Sequence, residues 1–173
     1  TDAAKEAADF ILTDDNFSTI ARAVSEGRTV YDNIVKSIIF ILPTNLAEAL
    51  VIFSAIMLGT MMPITPAQIL WVNMITAVTL ALALAFERGE ADIMMRPPRP
   101  YGRGLFDAAL IIKMILVGCM GATVVFSLFY FYRSNGASIE LARTVAVNAL
   151  VMIEVFYLFN CRFLIQTIFS RHF

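Results

Sequence analysis

The chain has 173 residues, of which 59% are hydrophobic and only 16% are charged, and its formal net charge is −1. A soluble domain carries about 25% charged residues, so this composition indicates a membrane protein. The near-zero net charge offers no electrostatic attraction to nucleic acid, and we expect no nucleic-acid partner.

Residues 1–36 are richer in charged side chains than the segments that follow them. Asp14, Asp15 and Asn16 precede apolar residues at helical spacing, which is typical of a capped helix start. Gly27 is the only strong breaker before the first long apolar run, which begins near residue 37. We therefore expect one long helix that leads from a water-exposed segment into a membrane. The first residue is Thr1 rather than Met, as expected for a piece of a longer chain.

Four apolar segments are long enough to span a bilayer at a rise of about 1.5 Å per residue. They cover residues 37–59, 64–86, 107–132 and 141–165. Short turns join the first segment to the second and the third to the fourth, whereas a longer polar connection separates the two pairs. The pattern predicts an all-α membrane protein, a four-helix transmembrane bundle built from two hairpins.

The positive charges orient this bundle. Of the 13 Lys and Arg residues, all but Arg133 and Arg143 lie in the N-terminal segment, in or beside the middle connection, or in the tail. The positive-inside rule then places both termini and the middle connection in the cytoplasm. An even number of spans gives the same result, because it puts both termini on one side.

Two glutamates lie in the middle of apolar spans, Glu48 in the first and Glu154 in the fourth. An acidic group at the bilayer centre costs at least about 2.5 kcal/mol, and such residues usually carry an ion or a proton. Asn45 lies three residues before Glu48, and Asn73 lies three residues before Thr76, so each pair shares a helix face. Carboxylate, amide and hydroxyl oxygens suit hard cations such as Ca²⁺, Na⁺ or Mg²⁺. The alternative is structural: protonated glutamates and polar side chains that bond across helices.

Pro43 interrupts the first span just before this polar face. A proline has no backbone N–H, so it leaves the carbonyl of Ile39 without its helical partner. Freed carbonyls at membrane depth are tolerated where they line a cavity or bind a cation. We therefore expect the Ile39 carbonyl to be available at the site.

Three sets of motifs follow one another along the chain. They are Thr1-Asp-Ala-Ala-Lys-Glu-Ala-Ala-Asp with Asp14-Asp-Asn-Phe-Ser-Thr-Ile; Asn45-Leu-Ala-Glu48 with Leu70-Trp-Val-Asn73-Met-Ile-Thr76; and Ile93-Met-Met-Arg-Pro-Pro-Arg99. Together they resemble the C-terminal half of P-type cation-transporting ATPases, closest to the sarcoplasmic-reticulum-type calcium pumps and their bacterial relatives. The resemblance covers nearly the whole chain.

The resemblance implies a division of the chain. Residues 1–27 would end the cytoplasmic phosphorylation domain, residues 28–36 would form the stalk helix, residues 37–165 would be the family's transmembrane helices five to eight, and residues 166–173 would be a cytoplasmic tail. The middle connection would contact the phosphorylation domain. The implied setting is the bacterial inner membrane.

The resemblance also implies the ligands and the chemistry. The implied cation ligands are Asn45, Glu48, Asn73, Thr76 and Glu154. The implied partners are the lipid bilayer, the transported cation and the remaining pump domains. Mg²⁺ and ATP would serve the full-length pump but would not bind here, because the phosphorylated aspartate and the nucleotide domain would precede Thr1.

One residue departs from the family pattern. The calcium pumps have an aspartate after the threonine that matches Thr76, and this chain has Ala77. Losing that carboxylate argues against the usual two-Ca²⁺ site. A single Ca²⁺ held by Glu48 and Glu154, or a monovalent ion such as Na⁺, fits the remaining ligands.

Two alternative hypotheses, from other classes of membrane protein, stay open. A free-standing four-span channel or accessory subunit would share the hairpins and the charge asymmetry. A reading frame that continues upstream of Thr1 and encodes an Asp-Lys-Thr-Gly-Thr motif would favour the pump, whereas a start codon near Thr1 would favour the small protein. Half of a cation/proton antiporter would need an inverted repeat, for which the likeness between the first two spans does not suffice.

Overall fold

The computed structural model describes residues 2–13, 16–98 and 108–162. The regular secondary structure within these ranges is entirely helical, and four of its helical segments are long and apolar enough to cross a membrane. The predicted all-α class and four-helix bundle are therefore confirmed. The helices are α1 (Asp2–Glu6), α2 (Phe17–Met57), α3 (Pro66–Thr76), α4 (Leu82–Ala85), α5 (Ala108–Ser134) and α6 (Ile139–Cys161), and a π-helical turn covers Ala77–Ala81.

Some sequence expectations fall outside the described residues. They concern Asp14 and Asp15, the part of the middle connection from 99 to 107, the end of the fourth span from 163 to 165, and the tail 166–173.

Helix α2 runs unbroken for 41 residues, as the helix signals predict. Its first turn is capped by Asn16, whose side chain accepts a hydrogen bond of 3.0 Å from the backbone N–H of Ser18. Pro43 lies inside the helix without ending it. One continuous helix therefore joins the charged N-terminal segment to the middle of the bundle.

The second span begins with a capping box. The Thr65 backbone N–H donates to Gln68 Oε1 at 2.9 Å, and the Gln68 N–H donates back to Thr65 Oγ1 at 3.3 Å. The apolar pattern predicts a continuous helix, but the structure inserts the π-helical turn directly after Thr76. Such turns are rare in proteins, and those that do occur are often found at functional sites.

Close packing of α2 against α5 holds the bundle together. A Cβ atom on Gly118 would lie 2.8 Å from the Leu46 side chain, and one on Gly121 would lie 3.1 Å from Ala47 Cβ. Small residues of this kind let membrane helices approach closely. The core of the bundle is apolar and includes Val51, Phe129 and Leu150.

A polar region lies where the N-terminal half of α2 contacts the chain that follows α4. We call residues 28–36 and 86–98 the α2–loop junction. Lys36 Nζ lies 3.1 Å from Glu90 Oε1, and both side chains are buried, with 1% and 3% exposure. This is an ion pair within the folded core, where an unpaired charge would be costly.

Arg96 joins three carboxylates of the α2–loop junction. Its guanidinium lies 2.7 Å from Asp32 Oδ2, 2.5 Å from Glu90 Oε2 and 2.8 Å from Asp92 Oδ1. Arg28 fixes the same loop by donating to the carbonyls of Ile93 and Arg96. The loop is therefore held on α2 through charged hydrogen bonds at several points.

The ends of the second and fourth spans are also tied to the α2–loop junction. Asn33 donates to the carbonyls of Ala85 and Glu87, at 3.2 Å and 2.7 Å. Arg162, just after α6, lies 2.8 Å from Glu87 Oε1. The three elements α2, α4 and α6 therefore meet at this end of the bundle.

Candidate cation-binding site

Glu48 lies on the inner face of α2, with only 3% of its surface exposed. Asn73 on α3 donates from Nδ2 to Glu48 Oε2 at 2.6 Å. This bond fixes one carboxylate oxygen and leaves the other free to accept a ligand.

Glu154 lies on the inner face of α6 with 1% exposure. Its carboxylate lies near the side chain of Thr76 and within electrostatic range of Glu48. The Thr76 hydroxyl donates its hydrogen to the carbonyl of Val72 at 3.0 Å. Thr76 is the last residue of α3, so the π-helical turn begins beside this contact.

Helix α3 therefore stands between the two acidic groups. Asn73 contacts Glu48 on α2, and Thr76, one turn further along α3, contacts Glu154 on α6. The sequence spacing placed Asn73 and Thr76 on one face, and the structure shows that each serves a different glutamate.

A cavity of about 240 Å³ opens beside this cluster. Its lining is Phe40, Ile41, Thr44, Asn45, Glu48, Asn73 and Thr76. The volume exceeds what a bare cation occupies, so ion and water both fit. Four of the five expected ligands reach the cavity wall, and Glu154 meets the cluster through Thr76.

Asn45 is placed differently from the other expected ligands. It lines the cavity but is exposed, whereas Glu48, Thr76 and Glu154 are buried. Asn45 therefore lies at the rim of the cavity rather than at its floor.

The two glutamates carry unsatisfied acceptors. Within the described ranges, Glu48 Oε1 and Glu154 Oε2 are buried without a hydrogen-bond partner, and neither carboxylate forms an ion pair with a Lys or Arg. Buried carboxylates are ordinarily paired, protonated or bound to a metal ion. The free oxygens and the neighbouring amide and hydroxyl suit a hard cation or a proton. No cluster of three or more His, Cys, Asp or Glu residues occurs in the described part of the chain.

The carbonyl that Pro43 releases is not part of the site. Tyr157 on α6 donates its hydroxyl to the carbonyl oxygen of Ile39 at 3.1 Å, and Ile39 does not line the cavity. The expectation that this carbonyl is available to a cation was wrong, because a side chain of α6 takes the place of the missing N–H. The sequence reasoning missed Tyr157, although its position three residues after Glu154 and the need of Ile39 for a donor could have indicated it.

Outside the membrane-spanning helices, at the α2–loop junction and directly after α6, the acidic and basic side chains are paired with one another. The Arg96 guanidinium lowers the pKa of Asp92 below its ordinary value of 3.8 through a hydrogen bond. The same contact with Asp92 is the main cause that raises the pKa of Arg96, and Glu87 does the same for Arg162. These groups therefore stay charged and paired at neutral pH.

Two buried carboxylates without a Lys or Arg partner, on helices long and apolar enough to cross a membrane, are typical of proteins that carry an ion or a proton across it. The sequence comparisons agree. Residues 61–173 match the family described as "Cation transporting ATPase, C-terminus", and the chain belongs to this family.

Individual relatives extend the match toward the N-terminus. The chain is 50% identical over 167 residues to "Probable cation-transporting ATPase F" of Mycobacterium tuberculosis, covering 96% of this chain and 18% of that protein. It is 38% identical over 173 residues to "Calcium-transporting ATPase" of Bacillus subtilis, covering 99% and 19%. It is 35% identical over 142 residues to "Calcium-transporting ATPase 2, endoplasmic reticulum-type" of Arabidopsis thaliana, covering 82% and 14%. The chain thus spans about a fifth of the length of the first two relatives, and the resemblance drawn from its motifs is confirmed.

Proposed function

We propose that this chain is the ion-binding membrane part of an ATP-driven P-type cation pump, hereafter the complete pump. The observation that supports it best is the pair of buried glutamates, each with one oxygen free of protein partners, beside a cavity. The cation ligands in this proposal are Glu48, Glu154, Asn73 and Thr76, with Asn45 at the rim. Ca²⁺ is the favoured cargo, because relatives from Bacillus and Arabidopsis are named calcium-transporting ATPases, and Na⁺ is the alternative.

The proposed mechanism follows from the placement of α2. Phosphorylation elsewhere in the complete pump would move the stalk part of α2, residues 28–36, and the helix would carry that motion to Glu48 because it is unbroken between them. Separation of Glu48 from Glu154 would weaken the cation site, and protons would then neutralise the carboxylates. Mg²⁺ and ATP would act in the other domains, and nothing in this sequence resembles a phosphate-binding loop.

The surroundings complete the proposal. Residues 1–27 would end the phosphorylation domain, and the loop at 86–98 would contact it. The distribution of Lys and Arg supports cytoplasmic termini, and the similarity to bacterial relatives supports a bacterial inner membrane. A further helix of the complete pump would cover the rim at Asn45, where the cavity is open.

The test is ATPase activity of the complete pump with Ca²⁺, Na⁺, K⁺ or Mg²⁺ varied in turn. We compare wild type with Glu48→Gln, Glu154→Gln and Glu140→Gln, the last being an exposed glutamate in the first turn of α6. One cation should stimulate the wild type and Glu140→Gln, and the two buried variants should need far more of it. A response unchanged in both buried variants would contradict the assignment.

A further inference from the structure

Pro43 creates a defect in α2 that the protein must repair. In an α-helix the carbonyl of Ile39 accepts the N–H of residue 43, and proline has none. Pro43 is buried and lies within the 41-residue helix. An unsatisfied carbonyl at this depth in a membrane is costly, so the bundle needs another donor for it.

The repair comes from another helix. The Tyr157 hydroxyl donates to Ile39 O at 3.1 Å, and only 6% of Tyr157 is exposed. The Phe40 ring stacks on Tyr157 with centroids 6.3 Å apart, and Lys113 Nζ of α5 lies 5.9 Å from the centre of the tyrosine ring. Tyr157 is therefore held by α2 and α5 while it belongs to α6.

Neighbouring carbonyls of α2 are occupied in a similar way. The Thr44 hydroxyl lies 3.2 Å from the carbonyl oxygen of Phe40 and 3.0 Å from that of Ile41. Around Pro43, the hydroxyl groups of Thr44 and Tyr157 thus bond three consecutive backbone oxygens of α2, those of residues 39 to 41. The ligands at this level of the cavity are left to side chains.

The position of this contact links it to the glutamates. Tyr157 lies about one turn beyond Glu154 on α6, and Ile39 precedes the cavity-lining residues of α2. A hydrogen bond at this point fixes how α6 lies against α2, and so fixes the separation of Glu154 from Glu48.

We propose that Tyr157 is a positioning residue of the cation site: its hydroxyl replaces the amide hydrogen that Pro43 lacks and ties α6 to α2, so that the two glutamates face one cation. This inference rests on the proposed pump function. If the stalk part of α2 moves Glu48, the hydrogen bond between Tyr157 and Ile39 must change with it.

The experiment measures cation-dependent ATPase activity of the complete pump for Tyr157→Phe, which keeps the ring and removes only the hydroxyl. The half-stimulating cation concentration should rise about tenfold, because a buried hydrogen bond to the site's framework is lost. The maximal rate at saturating cation and the KM for ATP should stay within about twofold, because the ligands themselves are intact.

Tyr130→Phe is the matched control. The Tyr130 hydroxyl, near the C-terminal end of α5, donates to the carbonyl of Met61 at 3.3 Å. It should leave the cation dependence unchanged. An unchanged cation dependence in Tyr157→Phe, or an equal shift in Tyr130→Phe, would overturn the positioning role.

A second variant keeps the test decisive if Tyr157→Phe folds poorly. Adding Pro43→Ala supplies an amide hydrogen to Ile39 from within α2, so the folded yield should recover. The tie between α2 and α6 would still be missing, and the cation requirement should stay raised. Wild-type cation dependence in this double variant would show that Tyr157 only satisfies the carbonyl.

Glu48→Gln in the same assay separates this inference from the proposed function. If Glu48→Gln needs far more cation while Tyr157→Phe responds like wild type, only the positioning role fails. If no cation stimulates the wild type, or Glu48→Gln matches it, the pump assignment fails and the positioning role fails with it.

Discussion

The bundle buries acidic side chains in two places and treats them in opposite ways. At the α2–loop junction, Glu90 is held by Lys36 and Arg96. In the middle of the spans, Glu48 accepts a hydrogen bond from an amide, Glu154 lies near a hydroxyl, and each keeps an oxygen without a partner among the described residues. The same physical rule, that a buried charge needs a counter-charge, accounts for both. The junction contains its own positive charges, whereas under the proposed function the site receives its positive charge from the transported cation or from protons.

The largest expected effect is on the junction. Glu90→Gln leaves Lys36 buried without its carboxylate, and we predict a loss of about 3 kcal/mol in stability, the lower end for breaking a buried pair. Thermal inactivation of the detergent-solubilised complete pump measures this loss. Lys36→Met combined with Glu90→Gln removes both charges and should recover most of the stability. A double variant as unstable as the single one would show that the ion pair is not the cause.

The second effect is on the site and should leave stability nearly intact. Glu154→Gln is predicted to raise the half-stimulating cation concentration about 100-fold, a change of about 2.7 kcal/mol. Its resistance to thermal inactivation should match or exceed that of wild type, because the variant removes a buried group without a counter-charge. Strong destabilisation by Glu154→Gln would place this glutamate with Glu90 as a structural charge.

A smaller effect distinguishes the two asparagines. Asn73→Ala removes the donor to Glu48, and we predict about a tenfold higher cation requirement, since bonds to charged groups contribute about 1.5–3 kcal/mol. Asn45→Ala, at the exposed rim, should change it by less than Asn73→Ala does. Cation titrations of ATPase activity in both variants decide the order, and the reverse order would move Asn45 into the centre of the site.

The smallest effect concerns pH and the exposed side of the junction. Arg96 lowers the pKa of Asp92 in the folded state, so this pairing stabilises the protein above the ordinary pKa of 3.8 and is lost as the pH falls through the folded value. Asp92→Asn should therefore lower thermal stability slightly at neutral pH, by less than Glu90→Gln does. The difference from wild type should vanish in strong acid, and a difference that grows as the pH falls would contradict the sign.

The sequence identified the acidic residues of the site but not their partners. Glu48 and Glu154 stand out because an acid within a long apolar run is costly wherever it points. Helical spacing also predicted which side chains share a face, and it coupled Asn73 with Thr76. It could not show that Asn73 faces Glu48 and Thr76 faces Glu154, because contacts between helices depend on their packing and rotation.

For the fold as well, the sequence predicts the features set by local patterns but not those set by packing between helices. Span number, the cap at Asn16 and the long α2 follow from local patterns. The π-helical turn after Thr76 and the donation from Tyr157 to Ile39 do not, because both depend on neighbouring helices. From the sequence, Lys36 is an ordinary charged residue just before the first apolar span. Only the structure shows that it is buried in an ion pair with Glu90.

Equilibrium binding of radioactive calcium and, separately, radioactive sodium to the purified complete pump tests the comparison most directly. The variants are Glu48→Gln, Glu154→Gln and the double variant Lys36→Met with Glu90→Gln. The account predicts that wild type and the junction double variant bind one of these cations with the same affinity, and that both site variants lose that binding. Retained binding in both Glu48→Gln and Glu154→Gln, or binding lost only in the junction variant, would contradict it.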